Sequence, residues 1–506
     1  MIAAVKDRGS QVRRALVAVV VVFALAACGI STDEDRAGLV LGNCPAPLMS
    51  QLLEYATALA PKMELGCGEL EVPLDYAHPE GEQINLQIIR ARHQEQSDRI
   101  GSLIFNPGGP GDPGVEYTPY LLSWLPESLL LRFDVVTLDP RGTGGSAPIN
   151  CPAPAGGPQS RSSNVLTEAG YVRAERAERQ QSELCLRLLG ARAPHFSTQT
   201  AARDIDRLRA AVGDQTLNYL GMSYAAKLGA EYARQFPDSV RAAVLDGPSE
   251  PGATHFDNLV RQAEGFESSF NEYAKGCATR PSCRLGDPHA FVKRLVARAD
   301  AKPIPTGITG ERPADGSDVL EAVRSALYDE ALWPSLDSTL YDANDYGNST
   351  GLFLMAEGLY GPPIEDSAPF DRTDARYVID CNDTAVGPTD EQIRTTARAL
   401  ARRYPIIGAY DAAYLFDCKT WQPQRAALES PVAPTPNRLL VVGTVHDAGT
   451  PYVGAVALTR SLGNATLLTW DGKSHTATAF SDCVAGAVTR YFVDLKLPPD
   501  GTHCPP

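Results

Sequence analysis

The sequence predicts an α/β protein: a mostly parallel sheet covered by helices, with a large helical insertion before its last strands. Three observations carry that expectation. Short apolar runs such as SLIF at 102–105 and FDVVTL at 133–138 end in turn residues, as strands buried on both faces do. They are followed by helical spacing, as in residues 201–212, where Ile205, Leu208 and Val212 form one apolar stripe. Strand-like runs then vanish after Pro251 and return only after Pro436. A chain of 506 residues is too long for one compact core, which fits a sheet carrying an inserted region.

The elements follow in order. Lys6, Arg8, Arg13 and Arg14 precede an apolar run over 15–27, too short for a comfortable membrane helix and matching a secretory signal peptide over 1–27. It ends in LAAC at 25–28, which resembles the bacterial lipobox and predicts cleavage before Cys28 and lipid on that cysteine. Plain signal cleavage and an uncleaved anchor are the alternatives. Residues 28–45 then form a lipidated tether, and no other apolar run approaches the roughly 20 residues that span a bilayer. Residues 46–250 form the first part of the core, where 68–72 and 84–88 alternate like half-exposed strands while 102–105 and 133–138 read as buried. A strand at 216–220, a helix at 225–236 and a strand at 241–245 complete this part. Residues 251–435 form a helical cap broken by Pro/Gly segments at 302–313 and 361–369, and residues 436–506 return to the core with strands at 438–442 and 465–469.

Charge and cysteines bound the setting. The net charge of −15 becomes −18 once residues 1–27, with four basic side chains and Asp7, are removed, which disfavours nucleic acid and anionic head groups as partners. Membrane attachment would therefore run through acyl chains. Of eleven cysteines, setting Cys28 aside leaves ten, an even number in a compartment where disulfides persist. Sequence leaves their connectivity open. Joining near neighbours gives Cys44–Cys67, Cys151–Cys185, Cys277–Cys283, Cys381–Cys418 and Cys483–Cys504.

The chemistry centres on GMSYA at 221–225. A serine on a sharp turn between a buried strand and a helix projects its hydroxyl above the sheet, with the helix N-terminus favouring developing negative charge. The second flanking position usually holds glycine; here Ala225 adds a methyl, which fits if the positive φ belongs to Ser223 itself. A serine needs a base and an orienting acid. Asp447 follows the strand RLLVV and His475 follows ATLLT, the chain order Ser, Asp, His of the α/β-hydrolase fold. Taken singly, Asp447 could cap a helix over 452–462 and His475 could be an ordinary loop histidine; His446 reads as a solvent-facing turn residue. The run NPGGPGDPG at 106–114, directly after SLIF, stands where that fold supplies an oxyanion donor, so the expected donors are the N–H groups of Tyr224 and Gly109.

GTGGSA at 142–147 fits a dinucleotide pattern, but Pro148 and Pro152 forbid the helix that would hold a pyrophosphate, so it reads as a structural loop with Asp139 and Arg141 pairing locally. No metal, nucleotide or other cofactor motif is present, and the expectation is a cofactor-free enzyme.

With these residues placed, the chain resembles the secreted α/β-hydrolases with a C-terminal tripeptidyl-aminopeptidase-like segment, a group that includes actinobacterial tripeptidyl aminopeptidases and the mycobacterial cell-envelope serine protease/carboxylesterase A. The matching stretches are VPLDYAHP, SLIFNPGGPG, FDVVTLDPRGTGGS, the serine turn, VLDG at 244–247, HDAGTPY at 446–452 and LPPDGTHC at 497–504, from about Cys67 to Cys504. The resemblance implies Ser223 as nucleophile, Asp447 as acid and His475 as base. Two departures lie against the reaction centre: Ala225 for the usual glycine, and Gly111-Asp-Pro-Gly114 for the usual G-x-S-G. The expected function is an envelope-anchored serine peptidase cutting near a free N-terminus. A carboxylesterase is the alternative, and a non-catalytic envelope binding protein the second. Acidic cap residues such as Glu264 or Glu267 would favour the peptidase by binding the peptide's ammonium.

Overall fold

The computed structural model describes residues 39–152, 164–356, 372–423, 425 and 427–506. The expected signal peptide and Cys28 lie outside them. Ten strands form one sheet: β1 (Leu41–Gly42), β2 (Met63–Pro73), β3 (Gln83–His93), β4 (Gly101–Asn106), β5 (Phe133–Leu138), β6 (Leu217–Met222), β7 (Val240–Asp246), β8 (Leu439–Thr444), β9 (Ala465–Trp470) and β10 (His503–Cys504). Their spatial order is β1-β2-β3-β5-β4-β6-β7-β8-β9-β10. The first three pairings are antiparallel and all others parallel.

The continuous apolar runs are explained by burial on both faces. Side chains alternate across the sheet, so Ile104, Val136 and Tyr219 pack on one side with Ile205, Leu208 and Leu228 of the helices Thr198–Ala211 and Tyr224–Gln235. Their neighbours Leu103, Phe105, Val135 and Leu220 point to the other side, against Leu121 and Leu122 of the helix Gly114–Trp124 and Val488 and Phe492 of the helix Asp482–Asp494. The first of these opens inside a Gly/Pro run, whereas the second starts at a capping serine, Ser481, whose hydroxyl accepts the Val484 N–H.

The chain lays β5 on one side of β4 and β6 on the other. At such a reversal the loops leaving neighbouring parallel strands diverge and open a crevice above their C-terminal ends. Here those loops are the glycine run after β4 and the serine turn after β6.

One boundary differs from expectation, and the helical cap divides between two cores. The tether is expected to reach residue 45, but Leu41–Gly42 already pairs with β2, the Leu39 N–H donates to the Ala211 carbonyl, and Cys44 is bonded to Cys67. Between β7 and β8 the described residues form helices, yet they do not form one separate layer. Phe266, Phe270, Val319, Val323, Leu336 and Leu340 build a core of their own, whereas Tyr377, Val378, Cys381 and Trp421 join the core beneath the sheet.

The expected local pairing of Asp139 with Arg141 is incorrect. Asp139 accepts the N–H groups of Val115 and Gly145, each at 2.9 Å. The buried Arg141 guanidinium binds both oxygens of Asp204 at 2.6 Å in the two-pronged geometry its planar fork favours, and donates its remaining N–H groups to the Pro73, Leu74 and His195 carbonyls. The structure joins Cys44–Cys67, Cys151–Cys185, Cys277–Cys283, Cys381–Cys418 and Cys483–Cys504, closing loops of 6 to 37 residues.

Candidate active site

Ser223 follows β6 with φ 59° and ψ −126°, a conformation costly for any residue with a Cβ. Surrounding contacts hold it there. The Ser223 N–H donates to the Asp246 carbonyl at 2.8 Å, and a Cβ on Gly221 would meet the Ala225 carbonyl oxygen at 2.4 Å. The strain thus sits on Ser223 and the close backbone approach on Gly221, which is why alanine is accommodated at 225.

The helix Tyr224–Gln235 starts at the next residue, so the Tyr224 N–H has no acceptor one turn back. The Tyr224 hydroxyl lies 2.6 Å from Thr198 Oγ1, which in turn donates to Asp383 Oδ2 at 2.5 Å, tying the turn to a neighbouring helix and to the segment before β8. Across the crevice, Gly108 and Gly109 have φ of 113° and 103°. A Cβ on Gly108 would lie 2.5 Å from the Met222 carbonyl oxygen and 3.0 Å from Ser223 Cβ, so only glycine lets the loop reach the serine. The Gly108 N–H is consumed by Asn106 Oδ1 at 2.9 Å, while the Gly109 N–H makes no hydrogen bond among the described residues.

Asp447 and His475 leave the ends of β8 and β9. The His475 Nδ1–H donates to Asp447 Oδ1 at 2.8 Å, with the carboxylate fully buried and the imidazole 13% exposed. Asp447 is itself held by the N–H groups of Gly449, Thr450 and Thr476 at 2.9, 2.8 and 3.2 Å. The Thr450 hydroxyl lies 3.2 Å from Asp447 Oδ2 and 3.3 Å from His475 Nδ1. Burial works against a charged imidazole, but the Asp447 charge and hydrogen bond outweigh it, with Asp246 and Asp112 adding to the effect, and hold His475 above its ordinary pKa. Ser223 and His475 face one cavity of about 430 Å³. No hydrogen bond joins their side chains among the described residues.

Several participants carried no recognisable sequence signal. Tyr328, from the segment between β7 and β8, accepts the His475 N–H on its carbonyl at 2.7 Å and sets its ring edge-to-face against the imidazole at 5.2 Å. Asp246 takes the N–H groups of Ala477 and Thr478, at 3.1 and 2.8 Å, and so fixes the backbone beyond the histidine; its burial raises its own pKa. VLDG, within the family resemblance, was the only clue to that acid. His446 lies in the turn after β8, half-buried, its carbonyl accepting the Ser269 hydroxyl at 3.1 Å.

The two cap acids do not reach this cavity. Glu267 is buried and accepts the N–H groups of Ile406 and Ile407 at 3.1 and 3.0 Å, and Glu264 lies at the surface 3.9 Å from Arg403. Among the described residues, Cys151, Cys185 and Asp374 bring metal-binding atom types together, but the sulfurs are joined to each other and Asp374 accepts the Cys151 N–H at 2.7 Å.

Residues 101–300 match the α/β hydrolase fold family and residues 404–504 the TAP-like protein family. The chain is 34% identical over 456 residues to the serine protease Hip1 of Mycobacterium tuberculosis, covering 87% of each chain. It is 32% identical over 496 residues to carboxylesterase B of the same species, covering 94% of each. To the tripeptidyl aminopeptidase of Streptomyces lividans it is 31% identical over 463 residues, 87% of this chain and 83% of that one.

Proposed function

This chain belongs to the α/β-hydrolases with a TAP-like C-terminal segment and is a serine hydrolase, and from that premise we propose that it is a peptidase removing short peptides from a free N-terminus. One observation carries the hydrolase chemistry: a serine at φ 59° and a histidine oriented by a buried carboxylate at 2.8 Å face the same cavity, and the relatives named serine protease Hip1 and tripeptidyl aminopeptidase favour a peptide as its substrate. Ser223 Oγ attacks the scissile carbonyl carbon as His475 Nε2 takes its proton. The oxyanion gathers on the N–H groups of Tyr224 and Gly109, and each such donor is worth about 10²–10³ in rate. Collapse of the intermediate expels the amine, which receives the proton from His475; water then repeats the sequence to release the acyl group. Asp447 keeps the imidazole in the tautomer that accepts at Nε2 and stabilises its transient charge.

A relative named carboxylesterase B, together with the cavity wall of Tyr117, Tyr120, Met222 and Phe480, favours ester hydrolysis as the second reading. Turnover of tripeptidyl p-nitroanilides against p-nitrophenyl esters separates the two. The peptidase predicts amide cleavage with a higher kcat/KM for free than for blocked N-termini; cleavage of esters alone would contradict it.

The reading includes export and anchoring through diacylglycerol on Cys28, supported by the basic residues, apolar run and LAAC at the N-terminus. The intact mass of envelope-derived protein should carry that lipid, and Cys28→Ala should move the protein to the medium. Unmodified Cys28 in retained protein would remove the anchor from the account.

A further inference from the structure

Four charged side chains line the Ser223 cavity: Asp112, Asp329, Arg372 and Arg376. Three have counter-ions, although Arg376 shares its carboxylate, Asp380, with His255 at 3.2 Å. Arg372 lies 3.5 Å from Asp112, and Arg376 lies 3.6 Å from Asp380. Asp329 forms no ion pair with any described residue, and the nearby Lys473 is directed to Glu330 at 3.4 Å and to the face of Trp333.

The Asp329 carboxylate is nevertheless held in place. Its Oδ1 accepts the Ala331 N–H at 2.9 Å and the Ser474 hydroxyl at 3.3 Å, while Oδ2 makes no hydrogen bond with any described residue. It also follows Tyr328, whose carbonyl and ring hold His475. A fixed, uncompensated carboxylate in a cavity partly shielded from water attracts a cation more strongly than it would at an open surface.

We propose that Asp329 is the specificity-determining carboxylate that binds the α-ammonium of the substrate's N-terminus, an inference that rests on the peptidase reading. The side chains on either side of the anchor in space, Ser474 and Tyr328, adjoin the base in sequence or contact it, so the ammonium is held at a set distance from the reaction centre. An extended peptide advances about 3.3–3.6 Å per residue, so such an anchor limits how many residues fit between its ammonium and the scissile carbonyl. That would make the enzyme count from the N-terminus.

Three tripeptidyl p-nitroanilides test this with the intact protein: one with a free N-terminus, its N-acetyl form, and an N-acetyl form carrying lysine. The expected result is a ratio of kcat/KM, free over acetylated, that falls roughly 10- to 100-fold in Asp329→Asn, chiefly through KM. Asn keeps an oxygen for Ala331, and fluorophosphonate labelling of the variant reports that its site is assembled. Asp329→Glu, which restores the charge, should recover part of the ratio. An unchanged ratio in Asp329→Asn would overturn the proposal, as would equal loss on all three substrates. Selective loss on the lysine substrate would also overturn it, by assigning Asp329 to a side-chain ammonium. Ester cleavage without cleavage of any peptide would instead remove the peptidase reading itself.

Discussion

Burial and a charged partner compete at His475, and the partner wins. Desolvation disfavours the imidazolium, but Asp447 lies 2.8 Å from Nδ1, and the net effect is a pKa above the ordinary value of about 6.5. The base must be neutral to take the proton from Ser223, so a raised pKa moves the active form to higher pH. The acid limb of kcat/KM should therefore have its midpoint above about 6.5, and Asp447→Asn should lower that midpoint while cutting kcat by about 10⁴. A midpoint at or below 6.5 in the unmodified protein would contradict this balance of forces. Ser223, Asp447 and His475 could be picked out in the sequence because each follows a recognisable buried strand in the required order. Tyr328 and Asp329 could not, since their contact with His475 and Ser474 joins positions about 145 residues apart through folding alone.

The serine turn shows how a departure from a motif is absorbed by an element. Ala225 is completely buried in the first turn of the helix Tyr224–Gln235 and has no positive φ; the strained conformation belongs to Ser223. Relief of strain is therefore not available at 225. Ala225→Gly should leave the rate of fluorophosphonate acylation unchanged and lower stability by about 1 kcal/mol, the cost of glycine within a helix. A thermal melt and a labelling time course check both, and faster acylation would show that the Ala225 methyl restrains the turn. The parallel strands β4 to β9 were legible because burial on both faces writes continuous apolar runs. β1 and β10 were not, being two residues each and held by pairing and by disulfides.

Across the described residues, one ten-stranded sheet brings together loops from β4, β6, β8 and β9, and the helix Gly114–Trp124 and the segment between β7 and β8 supply the remaining cavity wall. The disulfides close short loops within this frame, each constraining its own neighbourhood. The extent of the helical insertion was visible as missing strand pattern, but its division between a separate core and the core beneath the sheet was not, because amphipathic helices of either kind read alike. The central claim is that this assembly makes Ser223 a nucleophile. Intact mass and peptide mapping after exposing the folded, oxidised protein to a fluorophosphonate test it most directly. The account predicts one adduct, on Ser223, absent from Ser223→Ala and from protein unfolded before exposure. A folded protein that takes up no label, or takes it up at another residue, would contradict it.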